Sequence, residues 1–443
     1  MGPVILPIPY RDPLVAFAPL AKTPMAVLLD SALATAQARA SYIAIDPRHV
    51  IRAGAHPWQH DPFAAVADAL GAKRESVDLP VPFTGGAIGL FSYELGGVLE
   101  TLPPPKAQMF ADDMVVGLYD LVAAFDHASR RAWVIARGPD AMERATALVR
   151  RLGTAPLPPA PGPVQATWRA ETSQTQHEAN VRAAIDFIRA GDIFQANITQ
   201  RFIAATPGRL DWFGVYRRLR TRAPGPFSAF LNFEGVRLLA VSPERFLRVS
   251  RNGAVEARPI KGTRPRGQEP KSDMAFAREL RASAKDRAEN LMIVDLLRND
   301  LGRVCEPGSI TVPVLQGLES FPTVHHLVSV VTGQLRKEAS AVDLLRACFP
   351  GGSVTGAPKI RAMEIIHQLE AGPRGPYCGT IAWVGFDGAM DSSIVIRSLV
   401  GDDMHIYAQA GGGIVADSDP ALEYAESLVK AAPMLAALNG AAL

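Results

Sequence analysis

Lys261 stands at the centre of the run Arg258-Pro-Ile-Lys-Gly-Thr-Arg-Pro-Arg-Gly267, pinned between Pro259 and Gly262. Proline and glycine fix the backbone on either side, which a solvated surface charge does not require. Arg258, Arg264 and Arg266 flank it. Crowding by cations lowers a lysine's pKa, and the neutral amine so favoured is a nucleophile. The run taken alone reads equally as a wet basic loop or a phosphate contact, so the rest of the chain has to decide.

Carboxylates come next. Glu244 lies between Pro243 and Arg245 at the end of an apolar run, where it is either a fixed acid or an exposed partner of Arg245. Glu289 belongs to a helical stretch whose other acids, Asp295 and Asp300, have Arg298 and Arg303 at hand. Glu423, Glu426 and Lys430 are spaced i, i+3, i+7, so they share one helix face. Carboxylates from separate helices, with no matching His or Cys, suit a hard oxygen-seeking cation such as Mg²⁺. A surface ion pair is the plainer alternative for the last group.

Two glycine-rich stretches suggest close approach to a ligand. Gly351-Gly-Ser-Val-Thr-Gly-Ala-Pro-Lys359 feeds a helix start, where free N–H groups favour an anion. It lacks the Gly-Lys-Ser/Thr order of a nucleotide-binding P-loop. Ala410-Gly-Gly-Gly-Ile-Val415 leaves backbone exposed to a neighbour beside the acidic helix. Arg397 has the planar fork that grips a carboxylate. His326, in an apolar setting, reads as a core histidine unless something brings it to the others.

The elements that must position these residues fall in blocks. Strands are expected at 25–29, 114–125, 132–136, 194–203 and 236–241, with a hairpin pairing 378–386 with 392–400. The glycine-rich stretch 83–97 carries five glycines but no GxGxxG, so it predicts close packing rather than a dinucleotide site. Helices are expected at 174–190, at 283–301 with Leu291, Val294, Leu297 and Leu301 as its apolar stripe, at 358–370, and after Asp419. The block order favours an α+β fold with antiparallel sheets. Residues 155–166, with five prolines, form a stiff connector between an N-terminal region, 1–154, and a larger region, 167–443.

At 443 residues, 48% hydrophobic, the chain can bury one very large core or several. Its net charge of +2, from 46 basic and 44 acidic residues, leaves no nucleic-acid footprint. No apolar run has membrane-spanning length and no secretion leader is evident, so a cytoplasmic protein is expected. Cys305, Cys348 and Cys378 are scattered and fit reduced, buried thiols.

From about Gln174 onward the chain resembles the chorismate-utilising enzymes. The resemblance rests on Gly191-Asp-Ile-Phe-Gln-Ala-Asn197, Ser242-Pro-Glu-Arg-Phe246, Ala288-Glu-Asn-Leu-Met-Ile-Val-Asp-Leu-Leu-Arg-Asn-Asp300, His326-Leu-Val-Ser329, the 351–359 loop, Ile396-Arg-Ser398 and the 410–415 run. Pro7-Ile-Pro-Tyr-Arg11 and Leu28-Leu-Asp-Ser31 match more loosely and imply a tryptophan pocket at Ser31. The family implies a large antiparallel β-sandwich of two sheets with helices packed outside. Its anthranilate-forming members typically carry Ala where this chain has Lys261.

The lysine implies the branch in which Lys261 attacks C2 of chorismate and ammonia then adds at C4, giving 4-amino-4-deoxychorismate for p-aminobenzoate and folate. By the same resemblance Glu289 and Glu426 hold Mg²⁺ with Glu423 close by, Glu244 is general acid or base, and His326 helps the C4 hydroxyl leave. Tyr377, Arg397 and Lys430 hold the enolpyruvyl carboxylate, with Thr355 and the backbone of Gly411, Gly412 and Gly413 nearby. Water-using relatives place a lysine where this chain has Gln195. No Cys-His-Glu triad of a glutaminase is seen, so a separate glutamine amidotransferase subunit is expected to supply ammonia. An anthranilate-forming enzyme and a silent chorismate-binding subunit are the competing expectations.

Overall fold

The computed structural model describes residues 2–440 apart from positions 34, 36, 55–56, 165, 207–209 and 322–323. Its architecture follows from strands that are apolar on both faces. In Ala26–Asp30, Val27 packs between two sheets while Leu28 packs beneath helices. Leu121–Asp126 repeats the pattern, with Val122 and Ala124 turned one way and Ala123 and Phe125 the other. Strands covered on both sides show no polar alternation, which is why they read as continuous apolar runs.

Among the described residues the strands form two sheets, one of 12 strands and one of 10, with every pairing antiparallel. The sheets face each other across a core that includes Phe83, Trp133, Leu231 and Trp383. One outer face carries Pro13–Phe17, Ala141–Arg151, Trp212–Arg222 and Pro420–Asn439. The other carries Pro62–Leu70, Ala284–Gly302 and Ala341–Cys348. This is the expected α+β sandwich.

The two sides of the proline-rich connector interleave. Ala26–Asp30 pairs with Phe227–Phe233 in the larger sheet, and Gly86–Phe91 pairs with Thr380–Gly385 in the other. Most of 155–166 is exposed and has neither helix nor strand; position 165 lies outside the described residues. The connector is tied down where Arg218 donates to the Pro161 carbonyl at 2.7 Å. The 83–97 stretch supplies the Gly86–Phe91 strand, and a Cβ at Gly86 would lie 2.0 Å from the Val384 carbonyl oxygen. Gly86 and Gly89 let neighbouring backbone approach, while Gly96 and Gly97 make room for side chains.

Three expected elements are redrawn. The run 114–125 is two strands, Asp112–Tyr119 in one sheet and Leu121–Asp126 in the other. Buried Asp120 marks the crossover and is neutralised by Arg144 at 2.7 Å and by Arg48. The strand expected at 392–400 is likewise split into Met390–Ile394 and Ser398–Gly401, one in each sheet. On Ala284–Gly302 the buried stripe is Ile293, Val294, Leu297 and Leu301, while Leu291 is 45% exposed. At 100° per residue Leu291 falls about a quarter-turn off that stripe. No helix is long and apolar enough to cross a membrane among the described residues.

Candidate active site

Lys261 lies on the strand Ile260–Pro265, paired with Val324–Gln334 so that Lys261 faces Leu327 and Thr263 faces His326. The register slips between Lys261 and Thr263 because Gly262 adopts φ +79°, a left-handed geometry that glycine takes without strain. The bulge aims the lysine toward the 351–355 loop, and Lys261 Nζ donates to the Ser353 carbonyl at 3.2 Å. Burial pushes its pKa below the ordinary lysine value; Glu289 and Glu244 oppose that push and Lys430 adds to it.

The reason expected from sequence, crowding by arginines, is not the one at work. Arg258 pairs with Glu319, Arg264 with Glu279 at 2.6 Å, and Arg266 with Asp273 at 2.7 Å. Each flanking cation is spent on its own acid, and desolvation is what favours the neutral amine.

Glu244 sits in the short link between Val236–Ser242 and Arg245–Val249 and is buried. It is no partner of Arg245, which instead grips Asp391 at 2.8 Å. Burial raises the Glu244 pKa, tempered by a hydrogen bond with the Ser353 side chain and by Lys261. Ser353 therefore touches both members of the pair, its carbonyl taking the lysine and its hydroxyl the carboxyl.

The acidic helices close the opposite side. Glu289 on Ala284–Gly302 is raised in pKa by burial, with Lys261 and Lys285 acting against it and Asp286 and Glu423 reinforcing it. Glu423 is raised for the same first reason, although Ser418 Oγ donates to it at 2.8 Å. Burial pushes Glu426 up, but Lys430 at 2.6 Å, together with Lys285 and Arg397, brings it below its ordinary value. Lys430 Nζ also donates to the Gly411 carbonyl at 2.8 Å, tying the helix to the glycine strand. No three His, Cys, Asp or Glu side chains form a ready-made metal cluster among the described residues. The donor set is nonetheless all oxygen, with Glu289 and Glu423 mutually repelling, and that chemistry fits a hard divalent cation.

Gly411, Gly412 and Gly413 lie on His405–Ile414 opposite Thr199, Ile198 and Asn197. A Cβ at Gly412 would stand 2.9 Å from Glu423 Oε2 and 3.6 Å from Lys430 Nζ, so the strand presents bare backbone to the acidic face. Gln195 is fully buried with neither amide atom hydrogen-bonded, and its Nε2 would be 2.1 Å from a Cβ at Gly413.

Arg397 is the link between the two strands into which 392–400 divides, at φ +53°. It forms no ion pair among the described residues. Burial lowers its pKa, while Tyr377 and Glu426 favour its charge. A half-buried guanidinium with no ion-pair partner among the described residues is a ready receptor for a carboxylate. Tyr377 is buried, and burial drives its pKa far up, so it is a neutral phenol. His326 hydrogen-bonds Thr263 Oγ1 through Nδ1 at 2.9 Å, and burial brings its pKa down to about 4, with Arg397 among the lesser causes. Thr355 is buried, its hydroxyl donating to the Gly351 carbonyl at 3.1 Å.

Lys261, Glu244, Glu289, Glu426, Lys430, Arg397, Tyr377 and His326 are thus near enough for each to influence the ionisation of at least one other. Ser31 stands apart. It lines a separate cavity of about 640 Å³ between the sheets, together with Arg39, Tyr42, Arg245 and Asp391. Sequence reasoning missed Ser353, Thr263 and the buried Arg374–Glu370 pair. Ser353 lay inside the glycine-rich loop and Thr263 inside the Lys261 run, both already singled out; Glu370 and Arg374 are spaced i, i+4, but nothing local marks the distant backbone they bind.

Comparison with known proteins agrees with this arrangement. The profile of the chorismate binding enzymes matches residues 26–436. Aminodeoxychorismate synthase component 1 of Klebsiella aerogenes is 42% identical over 97% of this chain and 98% of its own length. Anthranilate synthase component 1 of Thermus thermophilus is 38% identical over 97% of this chain and 98% of its own. The crystal structure of anthranilate synthase component I from Streptococcus pneumoniae superposes with a TM-score of 0.79 at 33% identity, covering 91% of this chain and 93% of that one. A profile match over residues 26–436, with relatives about 40% identical over nearly their full length, places this chain in the chorismate binding enzyme family.

Proposed function

We propose that the protein is an aminodeoxychorismate synthase of the component 1 type, converting chorismate and ammonia to 4-amino-4-deoxychorismate. The observation that carries this reading is Lys261, desolvated and held at Ser353 beside a buried Glu244. Two relatives that match over nearly their full length, 42% and 40% identical, bear that enzyme's name, which supports it.

Arg397 and Lys430 offer cationic ends for the enolpyruvyl carboxylate, and the Tyr377 phenol offers a hydrogen bond. Lys261 attacks C2 of the ring; both ring double bonds shift and the C4–O bond breaks. Glu244 accepts the proton lost by the attacking amine, and the departing hydroxide takes up a proton from solvent and leaves as water. His326, neutral by burial, donates a hydrogen bond to that oxygen as its charge grows. Ammonia then adds at C4 and gives up a proton to solvent, the double bonds shift back, the C2–N bond breaks, and Glu244 returns its proton to Lys261. Splitting one allylic substitution into two lowers the barrier of each.

Glu289 and Glu426, with Glu423 beside them, would hold Mg²⁺. Bound there, the ion supplies charge neutralisation for the ring carboxylate as the diene rearranges. Lys430 competes for Glu426 when no cation is present. Ammonia is expected from a separate glutamine amidotransferase subunit, the cavity at Ser31 is the candidate tryptophan pocket, and the setting is cytoplasmic. Incubation with chorismate, Mg²⁺ and an ammonium salt tests the reading. Mass analysis should find a non-aromatic aminated product with pyruvate still attached; fluorescent anthranilate or no turnover would overturn it.

A further inference from the structure

Arg374 is among the largest fully buried side chains, 1% exposed, and it is not one of the residues expected to hold substrate. Its guanidinium donates to the Val354 carbonyl at 2.8 Å and to the Asn197 carbonyl at 2.6 Å. It also grips Glu370 through two bonds, Nε to Oε2 at 2.9 Å and Nη2 to Oε1 at 2.7 Å. Glu370 in turn takes the Thr199 N–H at 2.9 Å and the Thr199 hydroxyl at 2.8 Å.

Those endpoints are not random backbone. Val354 directly follows Ser353, whose carbonyl receives Lys261 and whose hydroxyl meets Glu244. Asn197 and Thr199 are the strand partners of Gly413 and Gly411. One planar cation therefore fixes the carbonyl loop that aims the amine and the strand that backs the glycine cradle. A buried ion pair is costly to form and persists only when it is well hydrogen-bonded; here four of the five guanidinium protons have acceptors. Its arms are rigid, so a displacement of either segment is felt by the other.

We infer that Arg374, seated on Glu370, is a positioning residue that locks the Ser353 loop and the glycine strand in register, setting where the Lys261 amine points. The Arg374 main-chain N–H is itself anchored on Glu94 Oε1 at 2.7 Å, and the Tyr93 ring lies 4.7 Å from the guanidinium carbon. This inference rests on the reading of Lys261 as the nucleophile.

The test compares Arg374→Lys and Arg374→Ala with the unaltered chain. Lysine keeps the charge but cannot reach two carbonyls and a carboxylate at once. Each variant is first checked for a cooperative thermal transition. The reactivity of Lys261 toward trinitrobenzenesulfonate is then followed by peptide mass spectrometry across a pH series, without substrate. Loosening the loop should shift the pH dependence of Lys261 labelling and lower kcat by about 100-fold, the usual cost of misplacing a reacting group by about an ångström, with KM for chorismate changed far less. Guanidinium ion added to Arg374→Ala should restore part of kcat. If Arg374→Ala yields no folded protein, Glu370→Gln, which keeps the volume but loosens the clamp, takes its place without the rescue step.

A folded variant with unaltered Lys261 labelling and unaltered kcat overturns the inference. Altered labelling with unaltered kcat overturns it as a statement about catalysis. The parent reading fails by a different result, Lys261→Ala turning over chorismate at the original rate.

Discussion

Lys261 Nζ is hydrogen-bonded to the backbone carbonyl of Ser353 at 3.2 Å and ion-paired with no carboxylate among the described residues. A carbonyl accepts from an ammonium and from a neutral amine alike, so it orients the nitrogen without fixing its charge as a carboxylate partner would. Burial, aided by Lys430, then sets the balance toward the neutral form.

Gly262 makes that aim feasible. Alanine there would be forced into the left-handed region at φ +79°, and its Cβ would sit 2.8 Å from Asp286 Cγ and from Leu280 Cδ1. The backbone term costs about 1–2 kcal/mol and overpacking about 1–3 kcal/mol. Denaturant unfolding of Gly262→Ala should show a loss in that combined range. A variant as stable as the original would contradict the bulge geometry.

Arg397→Ala should weaken chorismate use through KM. Hydrogen bonds to a charged group contribute about 1.5–3 kcal/mol, which corresponds to roughly a 10- to 100-fold fall in kcat/KM. Arg397→Lys should recover only part of it, because the fork is lost. Steady-state kinetics with chorismate at saturating ammonium decide the point; an unchanged KM would remove Arg397 from carboxylate binding.

Two buried groups predict opposite pH responses. The folded pKa of His326, about 4, lies below its ordinary 6.5. The folded chain therefore binds fewer protons there, and its contribution is present above the ordinary value and lost as pH falls from 6.5 toward 4. Glu94 behaves in reverse, with burial raising it from 4.5 to about 7. Its stabilisation is present below 4.5 and lost as pH rises toward 7. Urea midpoints at a series of pH values should show His326→Gln flattening the acid limb of the stability profile and Glu94→Gln raising stability most at neutral pH. Profiles parallel to the original would contradict both assignments.

Mg²⁺ should bind with the free chain and depend on the acidic helices. Calorimetric titration with MgCl₂ should give a saturable signal that Glu289→Gln weakens strongly, and Lys430→Gln should strengthen by releasing Glu426. Chelation should abolish turnover. Magnesium affinity indifferent to Glu289 would put the ion elsewhere.

The sandwich and most of its helices were legible because apolar runs, caps and glycine stops are local signals. Asp419 opens the last helix as its N-cap, and Ser283, read as the first residue of its helix, proves to be the N-cap. The i, i+3, i+7 spacing of Glu423, Glu426 and Lys430 carried straight into one helix face. The breaks at Asp120 and Arg397 were not legible, since a strand that changes sheets remains apolar throughout and only tertiary packing shows the turn. The cause of the lysine's low pKa was misread for a similar reason. Arg258, Arg264 and Arg266 are close in sequence, but their acids, Glu319, Glu279 and Asp273, come from elsewhere in the chain. The Arg374 clamp joins positions up to 177 residues apart, and no sequence window contains it.

The most direct measurement is the intact mass of the protein after mixing with chorismate and Mg²⁺ in the absence of ammonia. The account predicts a species heavier by chorismate less one water, mapped by peptide mass spectrometry to Lys261, absent from Lys261→Ala and discharged as 4-amino-4-deoxychorismate when ammonium is added. An active enzyme that forms no such adduct, or a Lys261→Ala variant that makes the aminated product at the original rate, would contradict it.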